Sequence, residues 1–168
     1  MDVLQENTEG SGGKKVYVVL HNIRSAHNVG AIFRTAECAG VAKIFLTGYT
    51  PSPRDRFGRA RKEIMKTALG AENSVPWEHT EEVTLLLARL KREGVTLVAL
   101  EQAPQAIDYK TYTPSYPSAL ILGNEVRGIP ESILKRCDAI IVIPLRGAKE
   151  SLNVNTAAGV ALFRILNI

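Results

Sequence analysis

Residues 143–156 have the sequence IPLRGAKESLNVNT, in which an apolar strand runs into a glycine-containing loop and then into polar residues. Serine and asparagine are preferred at the start of a helix, because their side-chain oxygens accept hydrogen bonds from free backbone N–H groups. This order of strand, loop and helix start is typical of a loop that holds a ligand.

Two earlier segments have the same composition. Residues 20–36 read LHNIRSAHNVGAIFRTA and residues 120–130 read LILGNEVRGIP, each an apolar run followed by Asn, Gly and Arg. In an open α/β sheet the carboxyl ends of parallel strands meet at one edge, and ligands bind there. The three segments are therefore predicted to form one site.

Apolar runs and helix signals alternate along the chain. Continuous Val, Ile and Leu runs favour parallel strands that are covered on both faces. The sequence predicts an α/β domain over residues 14–168, with a mostly parallel sheet of five to six strands and helices on both faces, after a disordered tail over residues 1–13. The predicted strands are 16–20, 42–46, 74–77, 95–100, 118–122 and 139–143, and the predicted helices are 28–40 with Asn28 as its cap, 61–69, 80–93, 130–136 and 153–166.

The composition excludes several classes of protein. No apolar run approaches the roughly 20 residues that a membrane span needs, so a cytoplasmic protein is expected. Cys38 and Cys137 lack CxxC spacing, and we expect both to be buried thiols rather than zinc ligands or a disulfide. A formal net charge of +4 and a pI near 9.2 permit a nucleic-acid partner.

The positive charge is concentrated in one segment. Residues 54–66 carry six basic side chains against the acids Asp55 and Glu63, with Phe57 available to stack on a base. Contact with RNA phosphates is one interpretation, and a solvated helix start is the other. The basic residues are Arg54, Arg56, Arg59, Arg61, Lys62 and Lys66.

Common catalytic patterns are absent from the sequence. Neither GxGxxG nor GxxxxGK[ST] follows a predicted strand, and there is no GxSxG. His21, His27 and His79 do not form a metal-ligand pattern, so no metal is expected.

Taken together, the three quoted segments resemble the three signature motifs of the SpoU (TrmH-like) family of RNA 2′-O-ribose methyltransferases, in the SPOUT superfamily. Their order and spacing also match, and the similarity covers residues 16–166. The resemblance implies a trefoil-knotted α/β fold in which the last helix threads a loop. It also implies S-adenosylmethionine as cofactor, a homodimer, and tRNA or rRNA as substrate.

The resemblance assigns roles to individual residues. Arg34 matches the family's catalytic arginine, Asn28 the first-motif asparagine, Glu125 the second-motif acid, and Ser151 and Asn153 the third-motif polar pair. The knot loops would grip the cofactor around Leu100, Gly123, Ile143, Leu145, Ser151 and Leu152. Arg24, Arg54, Arg56, Arg59, Arg61 and Lys62 are expected to contact RNA.

Several alternatives stay open at the level of sequence. Asn28, Ser151 and Asn153 are also good helix caps, and His21 or His27 is a conceivable general base. The family description makes Arg34 the proton acceptor, whereas its chemistry favours clamping a phosphate and stabilising the developing alkoxide. A non-catalytic RNA-binding dimer is the rival function, and methylation of a base is the third.

Overall fold

One sheet and six helices make up the part of the chain that the computed structural model describes, residues 13–168. The predicted tail lies outside these residues, apart from Gly13. In chain order the elements are β1 (Val16–His21), α1 (Ala26–Ala39), β2 (Lys43–Thr47), α2 (Lys62–Ala68), α3 (Ala71–Ser74), β3 (Trp77–Thr80), α4 (Val83–Arg92), β4 (Thr96–Leu100), β5 (Ile107–Asp108), β6 (Ser118–Leu122), α5 (Glu131–Leu134), β7 (Ala139–Val142) and α6 (Val154–Leu166).

The sheet has seven strands in the order β3-β2-β1-β6-β4-β7-β5, and every neighbouring pair is parallel. The prediction of five to six strands was therefore wrong, because it did not include the edge strand β5. This strand has only two residues, Ile107 and Asp108, which pair with Ile141 and Val142 of β7. No apolar run marks so short a strand. The third predicted strand, 74–77, lies three residues later, at Trp77–Thr80.

Alternate residues of the central strands enter two separate cores, as the prediction of helices on both faces requires. Leu120 and Leu122 of β6 pack with α1, α2, α3 and α6, whereas Ala119 and Ile121 pack with α4 and α5. All five residues of β6 are buried. A strand covered on both faces reads as a nearly continuous apolar run, which explains why residues 118–122, apolar except for Ser118, were predicted to the residue.

The first helix begins earlier than predicted. Ser25 is the cap of α1, and its hydroxyl accepts a hydrogen bond from the backbone N–H of Asn28 at 3.2 Å. Asn28 lies in the first turn, so the prediction that it caps this helix was wrong. Asn153 does cap α6, with its side-chain oxygen 2.9 Å from the backbone nitrogen of Asn155.

The two cysteines are less enclosed than predicted. Cys38 is exposed on α1, and Cys137 is half-buried. Burial raises the pKa of the Cys137 thiol to about 11. Among residues 13–168 no helix is long and apolar enough to cross a membrane.

Helices α1 and α2 approach closely at Gly30. A Cβ atom at this position would lie 2.1 Å from Oγ1 of Thr67 and 2.3 Å from the carbonyl oxygen of Ile64. The Thr67 hydroxyl donates to the carbonyl of His27 at 2.8 Å, across the same contact. Only glycine lets the two backbones approach this far, and the contact fixes α2 against the segment that carries the first motif.

We expect Gly30→Ala to lower the free energy of unfolding by about 2 kcal/mol, because the added methyl group overpacks the contact with α2. Gly159→Ala is a matched control in α6, where the added Cβ would be 3.5 Å from Cγ2 of Thr35, an ordinary contact. This control should raise stability by about 0.5–1 kcal/mol through helix propensity. Urea denaturation of both variants measures the two effects, and equal stability of Gly30→Ala and wild type would contradict this packing.

Candidate active site

A pocket of about 660 Å³ lies at the carboxyl edge of the sheet. Its size falls in the range of small-molecule and cofactor sites. The loops after β4, β6 and β7 form it, together with the start of α6 and Asn28 of α1. The lining residues are 100–102, 122–128, 142, 143, 145, 150–154 and 157, with Asn28.

The carboxylate of Glu125 joins the second motif to the first. Its Oε2 accepts the backbone N–H of Arg24 at 2.9 Å, and its Oε1 accepts the N–H of Ser25 at 3.1 Å. The same Oε1 accepts from Nδ2 of Asn28 at 3.2 Å. A carboxylate at the N-terminus of α1 is also favoured by the helix dipole. Glu125 thus fixes the loop that leads into α1.

A second hydrogen bond continues this connection to the third motif. The Asn28 amide presents Nδ2 to Glu125, so its Oδ1 faces Asn153 and accepts from Nδ2 of that residue at 3.0 Å. The Oδ1 of Asn153 then caps α6 through the backbone N–H of Asn155. The two helix starts are therefore held together by Glu125, Asn28 and Asn153.

The environment of Glu125 lowers its pKa. Burial acts to raise the pKa of this carboxyl, but the hydrogen bonds from the backbone of Arg24 and Ser25 and from the Asn28 amide outweigh burial and bring it below its ordinary value. Glu125 is therefore ionised at neutral pH and acts as an acceptor only, which determines the orientation of the Asn28 amide.

Glu101 supports the backbone on the opposite wall of the pocket. Its two carboxylate oxygens accept the N–H groups of Ile129 at 2.7 Å and Gln102 at 2.8 Å. Gly128 adopts a φ of 69°, and a Cβ there would lie 2.4 Å from the Glu101 carboxylate. Only glycine combines this left-handed conformation with so close an approach.

Asn124 connects three loops. Its Nδ2 donates to the carbonyl of Asn22 and to the hydroxyl of Tyr49, both at 2.9 Å. Its Oδ1 accepts the N–H groups of Val126 and Arg127 at 2.9 and 2.8 Å. The residue is only 7% exposed, and both the nitrogen and the oxygen of its side-chain amide are hydrogen-bonded within the protein.

The residues expected to grip a cofactor all line this pocket. They are Leu100, Gly123, Ile143, Leu145, Ser151 and Leu152. Four of the five residues matched to the catalytic motifs line it too, namely Asn28, Glu125, Ser151 and Asn153.

Arg34 lies outside the pocket, exposed on α1. Six residues of an α-helix turn through about 600°, so Arg34 lies about 120° round the helix from Asn28. Thr35, seven residues after Asn28, shares its face and contacts Asn155 of α6 at 2.9 Å. Arg34 therefore faces the solvent beside the site.

Neither candidate histidine lines the pocket. The ring of His21 is buried between the Thr47 hydroxyl at 2.9 Å and the Asn22 amide at 3.2 Å, and burial lowers its pKa. His27 is exposed on α1. Among residues 13–168 no group of three His, Cys, Asp or Glu residues is arranged to hold a metal ion.

A second cleft, of about 760 Å³, lies beside the first loop. Arg24, Arg54, Arg56 and Arg61 line it, together with residues that the sequence did not single out as binding groups, Tyr49, Trp77 and His79. We call it the basic cleft. Arg59 and Lys62 lie outside this lining, and Arg59 pairs with Asp55 at 2.8 Å.

The exposed ring of Phe57 does not line the basic cleft. The guanidinium groups of Arg56 and Arg59 lie 4.8 and 5.0 Å from its centroid, within cation–π distance. Phe57 is therefore already covered in part by two cations.

Sequence reasoning missed Glu101, Gln102 and Asn124 as residues of the pocket. Glu101 and Gln102 directly follow the predicted strand 95–100, so the signal was a polar pair at a strand end. Asn124 lies inside the quoted second segment, but nothing in that segment distinguishes its buried role.

The fold and the pocket define an α/β protein with an all-parallel sheet and a polar ligand site in the loops at its carboxyl edge. More specifically, a family model matches residues 15–163, and the chain belongs to the SpoU rRNA Methylase family. The resemblance of the three motifs is thereby confirmed.

Relatives and solved structures agree with this family. The chain is 30% identical over 160 residues to the 23S rRNA (guanosine-2′-O-)-methyltransferase RlmB of Xanthomonas axonopodis pv. citri, covering 95% of this chain and 61% of the relative. An AdoMet-bound rRNA methyltransferase from Sinorhizobium meliloti superposes with a TM-score of 0.82 at 30% identity, covering 92% of this chain and 57% of that one. A structure concerning 2-OH methylation of C/U34 on tRNA superposes with a TM-score of 0.74 at 25% identity, covering 90% of this chain and 94% of that one.

We expect Glu125→Gln to lower the free energy of unfolding by about 1 kcal/mol near neutral pH, since the amide has only one acceptor oxygen and its NH2 group cannot accept the remaining N–H group. The pKa of Glu125 is lower in the folded protein than its ordinary value of 4.5. Its stabilising effect is therefore complete above pH 4.5 and is lost as the pH falls through the folded value. Urea denaturation between neutral pH and acid should show the difference between variant and wild type shrinking, and a pH-independent difference would contradict this role.

Asn153 has two functions that substitution can separate. Asn153→Ala removes the cap of α6 and should lower stability by about 1 kcal/mol. Asn153→Asp keeps the capping oxygen, which the helix dipole favours, but sets an acceptor against Oδ1 of Asn28, so we expect α6 to stay capped while the link to Asn28 is lost and ligand binding in the pocket is disturbed. Thermal denaturation measures the stability of each variant, and calorimetric titration with S-adenosylmethionine measures its affinity for this ligand. Unchanged affinity in Asn153→Asp would show that the residue acts only as a helix cap.

Proposed function

We propose that this protein transfers a methyl group from S-adenosylmethionine to a ribose 2′-hydroxyl of structured RNA, either rRNA or tRNA. The observation that carries the proposal is the pocket in which Glu125, Asn28 and Asn153 of the three motifs are joined by hydrogen bonds. The names of the relatives support the reaction and the substrate class. The chain spans 61% of the length of the first of these relatives.

The residues of the pocket fit S-adenosylmethionine. Leu100, Ile143 and Leu145 offer apolar surface for an adenine ring. Glu101, Glu125 and Glu150 place carboxylates around a ligand that carries a sulfonium and an ammonium group. A Cβ at Gly123 would lie 2.6 Å from the Gly128 backbone, so the two loop segments of this wall are tightly packed.

The bound cofactor supplies a methyl group that is already activated. The protein has to hold the ribose hydroxyl in line with this methyl group and let the hydroxyl proton pass to an acceptor, for which the proposal supplies the RNA phosphate beside Arg34 or bulk solvent. Glu125, Asn28 and Asn153 act as positioning residues, because their hydrogen bonds hold one another and the starts of α1 and α6. Ser151 is exposed at the rim, where its hydroxyl can contact the ribose.

Arg34 is the residue that we assign to the substrate phosphate. Its exposed position beside the pocket suits contact with a bound RNA strand, and a guanidinium matches a phosphate with two parallel hydrogen bonds. The positive charge also stabilises the oxygen as it loses its proton. We prefer this role to proton acceptance, because a guanidinium remains protonated at neutral pH.

Two features of the assembly belong to the same proposal. The exposed side chains of Val160 and Phe163 are neighbours on α6, one turn apart, and a second copy of the chain would cover them in a homodimer. We also propose the trefoil knot, in which the last helix, α6, threads a loop. Residues 14–168 would then act as one methyltransferase domain, in the cytoplasm where rRNA and tRNA are found.

We expect Arg34→Ala to abolish methylation of total RNA while S-adenosylmethionine still binds, because Arg34 lies outside the pocket. The measurements are incorporation of a labelled methyl group and calorimetry with the cofactor. Arg34→Lys is the conservative control, and it should retain part of the activity, since it keeps the charge without the planar fork.

Three outcomes are informative. Full activity of Arg34→Ala contradicts the assignment of this residue. Absence of cofactor binding in the wild-type protein favours the non-catalytic RNA-binding dimer. Nuclease mapping of the labelled product separates methylation of ribose from methylation of a base.

A further inference from the structure

The basic cleft contains an exposed aromatic ring that is held in place. Tyr49 is 58% exposed, yet its hydroxyl accepts a hydrogen bond from Asn124 at 2.9 Å. Its backbone N–H donates to Oδ1 of Asn22 at 3.1 Å. A fixed ring with a free face loses little conformational freedom when a flat ligand stacks on it.

Two further rings line the same cleft, Trp77 and His79 of β3. A nitrogen of the His79 ring lies 3.1 Å from the carbonyl oxygen of Gly48, the residue before Tyr49. The strand β3 is therefore tied to the loop that presents Tyr49, and the three aromatic side chains surround one space.

The charge in the cleft favours an anion. Its lining includes four arginines and only two acids. The arginines are Arg24, Arg54, Arg56 and Arg61, and the acids are Asp55 and Glu63. Asp55 is already occupied, because it accepts from the backbone of Phe57 and Arg59 and pairs with the Arg59 guanidinium. Within residues 13–168 the ion pairs of the structure involve none of the four arginines of the cleft.

The cleft and the pocket share a wall. Asn124 lines the pocket and bonds the Tyr49 hydroxyl, which lines the cleft. Arg24 lines the cleft, and its backbone N–H is bonded to Glu125 of the pocket. A ligand on Tyr49 is thus separated from the pocket by a single layer of side chains.

We propose that the basic cleft binds an unpaired nucleotide of the substrate RNA, with its base stacked on Tyr49 and the adjoining phosphates on Arg24, Arg56 and Arg61. This inference rests on the proposed function, for which it supplies the way the RNA is held beside the methyl donor. A ring and a set of cations in one groove are the two elements of sequence-tolerant single-strand binding.

The nucleotide must be unpaired, because a base inside a duplex has both faces covered by its neighbours. Only a base in a loop, a bulge or a flipped position can offer a face to Tyr49. The cleft therefore selects unpaired positions within structured RNA.

The lone tryptophan of the chain, Trp77, reports on the cleft by its fluorescence. We expect a mixed-sequence single-stranded RNA hexamer to quench this fluorescence and a duplex of the same length to quench it much less. Tyr49→Ala and Tyr49→Leu should each weaken hexamer binding about tenfold, whereas Tyr49→Phe, which keeps the ring, should retain most of the affinity. The leucine variant preserves bulk at the site if the alanine variant folds poorly.

Phe57→Leu is the control matched to Tyr49→Leu, since Phe57 is an exposed ring in the same basic segment but outside the cleft, and leucine keeps bulk beside the Arg56 guanidinium that packs on this ring. It should bind the hexamer like the wild type. Arg56→Ala and Arg61→Ala should each lower the slope of log affinity against log salt concentration by about 0.7, the value for one phosphate contact on a single strand.

Unchanged binding in both Tyr49→Ala and Tyr49→Leu overturns the proposal, as does a loss confined to Phe57→Leu. Hexamer binding that is seen by fluorescence polarisation without quenching of Trp77 places the RNA elsewhere and also overturns it. Calorimetry with S-adenosylmethionine alone is the separate test of the proposed function. The Arg56→Ala and Arg61→Ala variants, whose side chains lie outside the pocket, should bind this cofactor normally, so failure of one inference is distinguishable from failure of the other.

Discussion

The ionised carboxylate of Glu125 determines the orientation of two amide side chains. A carboxylate only accepts hydrogen bonds, so the Asn28 amide must present its nitrogen to Glu125 and its oxygen to Asn153. Asn153 must then direct its nitrogen to Asn28 and its oxygen to the start of α6. One charge thus sets the direction of the two side-chain hydrogen bonds that join Asn28 to residues 97 and 125 positions away in sequence.

The parallel sheet makes this arrangement possible. Because all seven strands run in the same direction, their carboxyl ends lie at one edge, and each loop that follows a central strand reaches the same space. The buried strands are mostly apolar, with His21, Thr47 and Ser118 as buried exceptions, so the polar side chains of the site come from the loops and helix starts. A rigid sheet then positions a site that is built almost entirely from loop residues and helix starts.

Much of this could be predicted from the sequence, for physical reasons that differ between elements. The strand over residues 118–122 is apolar except for Ser118, because both of its faces are buried. The strand ends were expected to form the site from their position alone, but Gly123 and Ile143 were named only through the resemblance to the SpoU family. Other features have no local signal. Ser25 and Asn28 both suit a helix cap, and only the structure shows that Ser25 takes the position. Tyr49 and Trp77 line the same cleft because β2 pairs with β3, which no local pattern specifies.

The position of Asn124 has a thermodynamic consequence. This one buried amide holds the backbone of the loop over residues 124–128 on one side and the Tyr49 hydroxyl on the other. A molecule that displaces Asn124 from either side changes the free energy of occupying the other side. Thermodynamic linkage requires each ligand to change the binding free energy of the other by the same amount. The order in which the two ligands bind therefore affects the rates of binding but not the stability of the complex that holds both.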